Sequence, residues 1–440
     1  MKTRFATGLA LAALVGLGGC GVFKGAPKKT PTVGQRVPIL MSENPAEVDK
    51  AIANVQVLLP TAVANDSWSQ PGGNAAKSMG HLLVGASPRR QWTARIDGGD
   101  NRARLAAAPV VADNKLFAVD VDATLHAFTA DTGAKLWSKS LSDSDENRSA
   151  RFGGGASYDD AKVYATDGLG DVVAVNAADG AILWRAKPGG PLRGAPTVAN
   201  GQVYVLSQDN QIYALDQTNG KVVWTMSASL ETQGVFGVAA PAASAGTIVA
   251  GFSSGELNAY RYENGRTLWQ DALSRTSITT SVSSLADIDA DPVIEDGRVY
   301  AIGQGGRMVA LEIATGQRLW EQNLAGISTP WIAGEWIFAV TDDARVVCLS
   351  RANGKVRWIS QLRAFKNEKK RNNPYTWFGP VLAGDRLWLT NSRGEIVALS
   401  PGDGTVQMTI EGKDPYSMAP IVANQTLYTL SDKGTIAAYR

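Results

Sequence analysis

One interval recurs along this chain: a small residue, a Gly six positions later, and a Trp four beyond that. It appears as Ala127/Gly133/Trp137, Ala174/Gly180/Trp184, Ala214/Gly220/Trp224, Ala259/Gly265/Trp269, Ala310/Gly316/Trp320 and Cys348/Gly354/Trp358. Ala398/Gly404 follows the same spacing with Met408 in the Trp place, and an eighth copy starts at Ala438. Each small residue sits in a short apolar run, which predicts a strand buried on both faces. The Gly follows Thr, Asp or Asn, residues that favour tight turns, and Gly itself tolerates positive φ. Strand, turn and strand at a fixed interval is a β-hairpin. The fixed interval implies a fixed register, so every Trp takes the same place in its unit.

A second signature precedes each hairpin. Pro109-Val110-Val111-Ala112-Asp113-Asn114, Pro196-Thr197-Val198-Ala199-Asn200-Gly201, Pro292-Val293-Ile294-Glu295-Asp296-Gly297 and Pro420-Ile421-Val422-Ala423-Asn424 each read as strand, turn, strand. One unit therefore holds four strands. Successive repeat Trp residues from Trp92 to Trp358 lie 38 to 51 positions apart, the period of a β-propeller of four-stranded antiparallel blades. Trp92 has no hairpin partner before it, and the last copy has no outer strand after it. The N-terminal strand is expected to complete the last blade, giving an all-β, eight-bladed ring without a free closing edge.

Residues 1–19 read as a lipoprotein signal peptide. Lys2 and Arg4 precede an apolar run ending Leu17-Gly18-Gly19-Cys20, too short for a permanent membrane span. Leu-Gly-Gly-Cys resembles the bacterial lipobox, which makes Cys20 the expected lipidation site and the chain anchored to a membrane without crossing it. Residues 20–45, rich in Pro, Gly and Lys, read as a flexible tether. Residues 46–90 form an N-terminal segment expected to pack on or near the propeller, with a short helix and then a strand in residues 48–59. The propeller spans residues 91–440. A net charge of +2 argues against nucleic acid as partner.

Three connections between blades depart from the repeat, and such departures are where function is placed. They are residues 227–240, with Leu230, Val235 and Phe236; residues 274–291, with Leu285-Ala286-Asp287-Ile288-Asp289-Ala290-Asp291; and residues 363–378, with Arg363, Lys366, Lys369, Lys370 and Arg371. The alternating Asp residues resemble the start of a calcium loop. Its Gly and closing Glu are missing, and Pro292 begins a strand. Contact with a basic partner patch, or a solvated loop, remains. The basic connection reads as a solvated face or as a surface for anionic headgroups or a partner. Gly153-Gly154-Gly155 lacks the Lys-Ser/Thr of a phosphate loop and reads as a close-packed strand start. No Ser/His/Asp set or Cys/His metal spacing stands out, and Cys348 occupies the buried small position as a small hydrophobe.

The repeat resembles that of quinoprotein dehydrogenases, eight-bladed propellers that bind pyrroloquinoline quinone. It is similar, too, to the quinone-free lipoproteins of the BamB family, which serve the outer-membrane β-barrel assembly machinery. The lipobox, the length and the absence of a Cys-Cys pair favour the second family over the alternative of a quinone-dependent enzyme. That resemblance implies a non-catalytic scaffold without cofactor or metal, lipid-anchored at the periplasmic face of the outer membrane of a Gram-negative bacterium. It implies binding to BamA and other subunits of the machinery, help to unfolded outer-membrane proteins, and a chain monomeric on its own. Two connections of the family contact BamA. Leu285, Asp287 and Asp289 before Pro292 match the Leu-x-Asp-x-Asp stretch of one. Before Ala240-Pro241 the family carries Leu-x-Leu-Arg-Gly in the other; Val235, Phe236 and Gly237 stand there, with Phe236 in the Arg place.

Overall fold

A computed structural model describes residues 46–100, 102–142, 147–230, 239–273 and 286–440. Eight four-stranded antiparallel sheets follow one another round a ring. Blade one runs from its inner strand to its outer strand as Val110–Ala112, Lys115–Val119, Thr124–Thr129 and Lys135–Ser140. Blades two to seven repeat it over residues 156–186, 197–227, 242–272, 293–322, 331–361 and 377–411. Blade eight takes Ile421–Ala423, Thr426–Leu430 and Thr435–Tyr439 from the C-terminal end and its outer strand, Arg90–Arg95, from the other. The expected closure is thus the observed one.

The repeat has a physical reason at each position. In seven of the eight blades the small residue pairs across the ladder with the Trp, from Ala127 with Trp137 to Ala438 with Trp92, and in blade seven Ala398 pairs with Met408. On its other side, in six of these blades, it pairs with an aromatic residue of the second strand: Phe117, Tyr164, Tyr204, Tyr300, Phe338 or Tyr428. Those rings meet the Trp indoles over the small residue, at centroid separations of 5.9 to 6.2 Å. A larger side chain between them would break that contact, so Ala or Cys348 stands there. A β-bulge follows the small residue in each of these hairpins, and the extra residue, Leu136 in blade one, turns outward. Bulges increase local twist.

The Gly answers to the neighbouring blade. A Cβ on Gly133 would lie 2.4 Å from the Trp92 ring, and the same holds at 2.5 Å for Gly220 on Trp184 and Gly354 on Trp320. Each indole then donates its N–H to a carbonyl of the next hairpin, such as Trp184 to Gln217 (3.0 Å) and Trp269 to Ile313 (2.7 Å). The polar residue before the Gly closes the turn: Asp179 Oδ1 accepts from Ala181 N at 2.9 Å and Asn219 Oδ1 from Lys221 N at 2.9 Å. Met408 breaks the pattern where the receiving turn is missing. The third and outer strands of blade eight come from opposite parts of the chain, so among the described residues no Gly turn joins them.

Residues 46–89 form a strap. Asp49 N donates to Val356 O on the outer strand of blade six (2.9 Å), and Arg357 donates to Val55 O (2.5 Å). The helix expected in residues 48–59 is absent; the chain makes a turn at 50–54 and then runs extended. Prolines at 45 and 60 bound too short and too exposed a stretch, and the strap's backbone is satisfied by blade six instead. From Asn65 the strap meets the inner strands in ring order. Asn65 O accepts from Asn424 of blade eight, Trp68 exchanges two bonds with Val111 of blade one, and Ser69 O accepts from Tyr158 of blade two. The Gln70 amide bonds both backbone groups of Val198 in blade three. Ala75 and Ala76 accept from Ala243 and Ile294 of blades four and five. Gly80 O accepts the Trp331 indole of blade six, and Leu82 bonds Leu382 and Gly384 of blade seven. Inner strands are sheet edges, and the strap supplies their missing partners.

Candidate partner-binding face

Antiparallel order puts the connections between blades at one end of the ring and the turns between first and second strands at the other. The strap crosses the latter end. Beyond it, towards the connections, lies an axial cavity of about 220 Å³ whose lining includes Trp68, Lys77, Asp289 and Asp291.

The 274–291 connection returns to blade five through buried ground. Asp287 is 1 % exposed. Its carbonyl accepts from Gln304 N at 2.9 Å. Ile288, also buried, donates to Phe252 O (3.2 Å) and packs where a Cβ on Gly251 would sit 2.5 Å from its Cγ2. Asp287 and Ile288 are therefore wedged between blades four and five. The reading of this stretch as wholly solvated loop is corrected: the side chain between the two acids is the apolar anchor, and it carries Asp287 inward. Asp289 is half-buried, with Gln304 Nε2 at 3.4 Å. Burial, then the charges of Asp287 and Asp342, push its carboxyl up to about 7. Asp342 rises to about 6 by burial and the neighbouring Asp343.

Asp291, at the end of this connection, accepts from Ala240 N at 2.7 Å. Ala240 ends the 227–240 connection, so the two stretches singled out by sequence share one base. Leu285, Val235, Phe236 and Gly237, like Cys20, lie outside the described residues. Leu230, where the first connection leaves blade three, is 76 % exposed. Sequence reasoning missed Asp291 as the joint, and it missed Lys77 beneath it. Lys77 is the single Lys or Arg between Lys50 and Arg89, a signal visible in the sequence.

The third connection is a short hairpin, Phe365–Asn367 with Asn372–Pro374, projecting Lys366, Lys369, Lys370 and Arg371 into solvent. Glu368 Oε1 accepts from Ala364 N (3.2 Å) and Phe365 N (3.1 Å) and closes its base. Gly155 is indeed close-packed: a Cβ there would meet Ala107 Cβ at 2.3 Å. His126 bonds Asp120 at 2.7 Å inside blade one. Cys348 is fully buried, and burial raises its thiol well above the usual range.

Eight blades with an Ala–Trp pair and a Gly turn define a propeller of the quinoprotein-like repeat class. A solved quinohemoprotein alcohol dehydrogenase from Comamonas testosteroni superposes with a TM-score of 0.68 at 13 % identity, covering 86 % of this chain and 81 % of that one. The BamB structure from Moraxella catarrhalis superposes at 0.67 with 18 % identity, covering 80 % and 99 %. The family model described as outer membrane protein assembly factor BamB matches residues 86–152 and 122–360. Relatives of that name from Yersinia pestis and Escherichia coli are 27 % and 26 % identical, each over 80 % of this chain and 89 % and 88 % of their own. The chain belongs to the BamB family. Among the described residues, the charged groups lining its axial cavity are the carboxyls of Asp289 and Asp291 and the ammonium of Lys77.

Proposed function

We propose that this chain is a non-catalytic scaffold of the outer-membrane β-barrel assembly machinery. Lipid on Cys20 holds it at the periplasmic face of the outer membrane after removal of residues 1–19, with residues 20–45 as tether. It docks BamA through the 227–240 and 274–291 connections, sits among the other subunits of the machinery, and helps unfolded outer-membrane proteins reach the insertion site. On its own it is a monomer. The observation that carries this reading is the family match, which runs through blades one to six and so spans both connections. The hydrogen bond that ties their ends together supports treating them as one surface.

The test is co-purification from detergent-solubilised envelopes of wild type and of the variants Leu285→Asp and Phe236→Asp. Asp287 is not a suitable site for charge reversal, because a buried cation would disturb blades four and five. Wild type should bring down BamA, and folded variants should bring down less. Wild type that captures no member of the machinery refutes the reading.

A further inference from the structure

The strap carries one side chain that stability alone does not explain. Lys77 is 2 % exposed and holds a left-handed backbone at φ 63°. Such a conformation costs on the order of 1 kcal/mol and persists where the surroundings fix it. Its bend is held locally: Lys77 N donates to Asn74 O (3.1 Å), Asn74 Nδ2 donates to Ser78 O (2.5 Å), and Gly72 leaves no room for a Cβ beside the Lys77 side chain. The bend directs the ammonium to the point where the two connections end. Nζ donates to Thr197 Oγ1 at 3.0 Å, and that hydroxyl donates to Pro241 O at 2.6 Å, at the end of the first connection. The ammonium and the Asp291 carboxyl act on each other in the same buried space. Asp291 in turn accepts from Ala240 N, and its own N–H donates to Thr329 Oγ1 of the blade-six approach at 3.1 Å.

We propose that Lys77 is a positioning residue: through Thr197 and Asp291 the strap sets the common base of the 227–240 and 274–291 connections, and so the geometry of the docking surface. This rests on the partner-binding reading above. Energetics oppose a purely stabilising role. Removing an ammonium and a carboxylate from water costs several kcal/mol, and a well-packed apolar pair of similar volume is often as stable or more so. A buried pair at the joint of two irregular connections is explained by what it orients.

The experiment measures capture of BamA by purified protein, alongside amide exchange at Ala240, in four forms: wild type, Lys77→Met, Lys77→Met/Asp291→Asn and Thr197→Val. In Lys77→Met the lone buried Asp291 protonates and its bond to Ala240 weakens. Ala240 exchange should rise about tenfold, and capture should fall by a similar factor at temperatures where the protein is folded. The double variant removes the unpaired buried acid but does not restore the bond to Thr197, so both readouts should stay impaired; full recovery of both overturns the proposal. Thr197→Val cuts the link to Pro241 while leaving both charges, and should also loosen Ala240; it carries the test if Lys77→Met does not fold. Unchanged Ala240 exchange and capture in folded Lys77→Met or Thr197→Val overturns the proposal. If wild type captures no BamA, the partner reading fails, while the exchange data still decide whether Lys77 sets the base.

Discussion

Replacing Gly220 by Ala, with Gly201→Ala as the control, isolates the energy of the joint between blades. Both glycines lie in turns of blade three and both have φ of +73°. A Cβ on Gly201 meets nothing within 4 Å, so Gly201→Ala carries only the backbone cost, about 1 kcal/mol. A Cβ on Gly220 would lie 2.5 Å from Trp184 Cε3, almost 1 Å inside ordinary contact. The indole must move away, which adds about 1–3 kcal/mol of overpacking. Moving it also strains the 3.0 Å bond from Trp184 Nε1 to Gln217 O, for roughly 1 kcal/mol more. Gly220→Ala should thus cost about 3–5 kcal/mol against about 1 for the control. Urea unfolding followed by tryptophan fluorescence reads both. Equal midpoints for the two variants would show that the Gly serves its own turn and not the neighbouring Trp.

Other perturbations separate further contributions. Trp320→Phe keeps a ring against Gly354 but loses the bond to Arg351 O (3.0 Å), for about 1 kcal/mol, whereas Trp320→Ala should cost about 3–5 kcal/mol in the same assay. The Asp289 carboxyl, pushed up to about 7, holds its proton in the folded state at pH values where the unfolded chain has released it. Its contribution to stability is complete below about pH 4 and is lost as pH rises through 7. Asp289→Asn should therefore flatten the fall in unfolding midpoint between pH 5 and pH 8 and be the more stable form at pH 8; parallel pH profiles for the two proteins would contradict this. Cys348, buried with a raised thiol, should react with an aromatic disulfide reagent only as fast as the protein unfolds, in a form carrying Cys20→Ala. A fast native-state reaction would contradict its burial.

The ring was legible because its determinants are local and repeated. Ala, Gly and Trp at fixed intervals encode a cross-strand pair, a positive-φ turn and a contact with the next blade, and Trp92 alone at one end pointed to the closing strand. The aromatic residues of the second strands, Tyr164 or Phe338, belong to the same rows. They escaped notice because apolar runs obscure which member faces the Trp. The strap was not legible, since residues 46–89 have no period and their conformation is set by bonds to inner strands far away in sequence. That is also why the expected helix in 48–59 gave way to extended chain. At the candidate site, the connections could be found as departures from the repeat. The burial of Asp287 could not, because alternation of Asp with Ile and Ala reads as a solvated loop unless Ile288 is known to wedge beneath Gly251. Lys77 was visible as an isolated cation; its partner Asp291 stands more than two hundred positions away.

The most direct test of the account is sedimentation of the purified mature chain with purified BamA in detergent. The account predicts a monomer that forms a one-to-one complex with BamA, weakened by Leu285→Asp and by Phe236→Asp in variants that unfold at the wild-type midpoint. Independent sedimentation of the two proteins, or a complex indifferent to both substitutions, would contradict it.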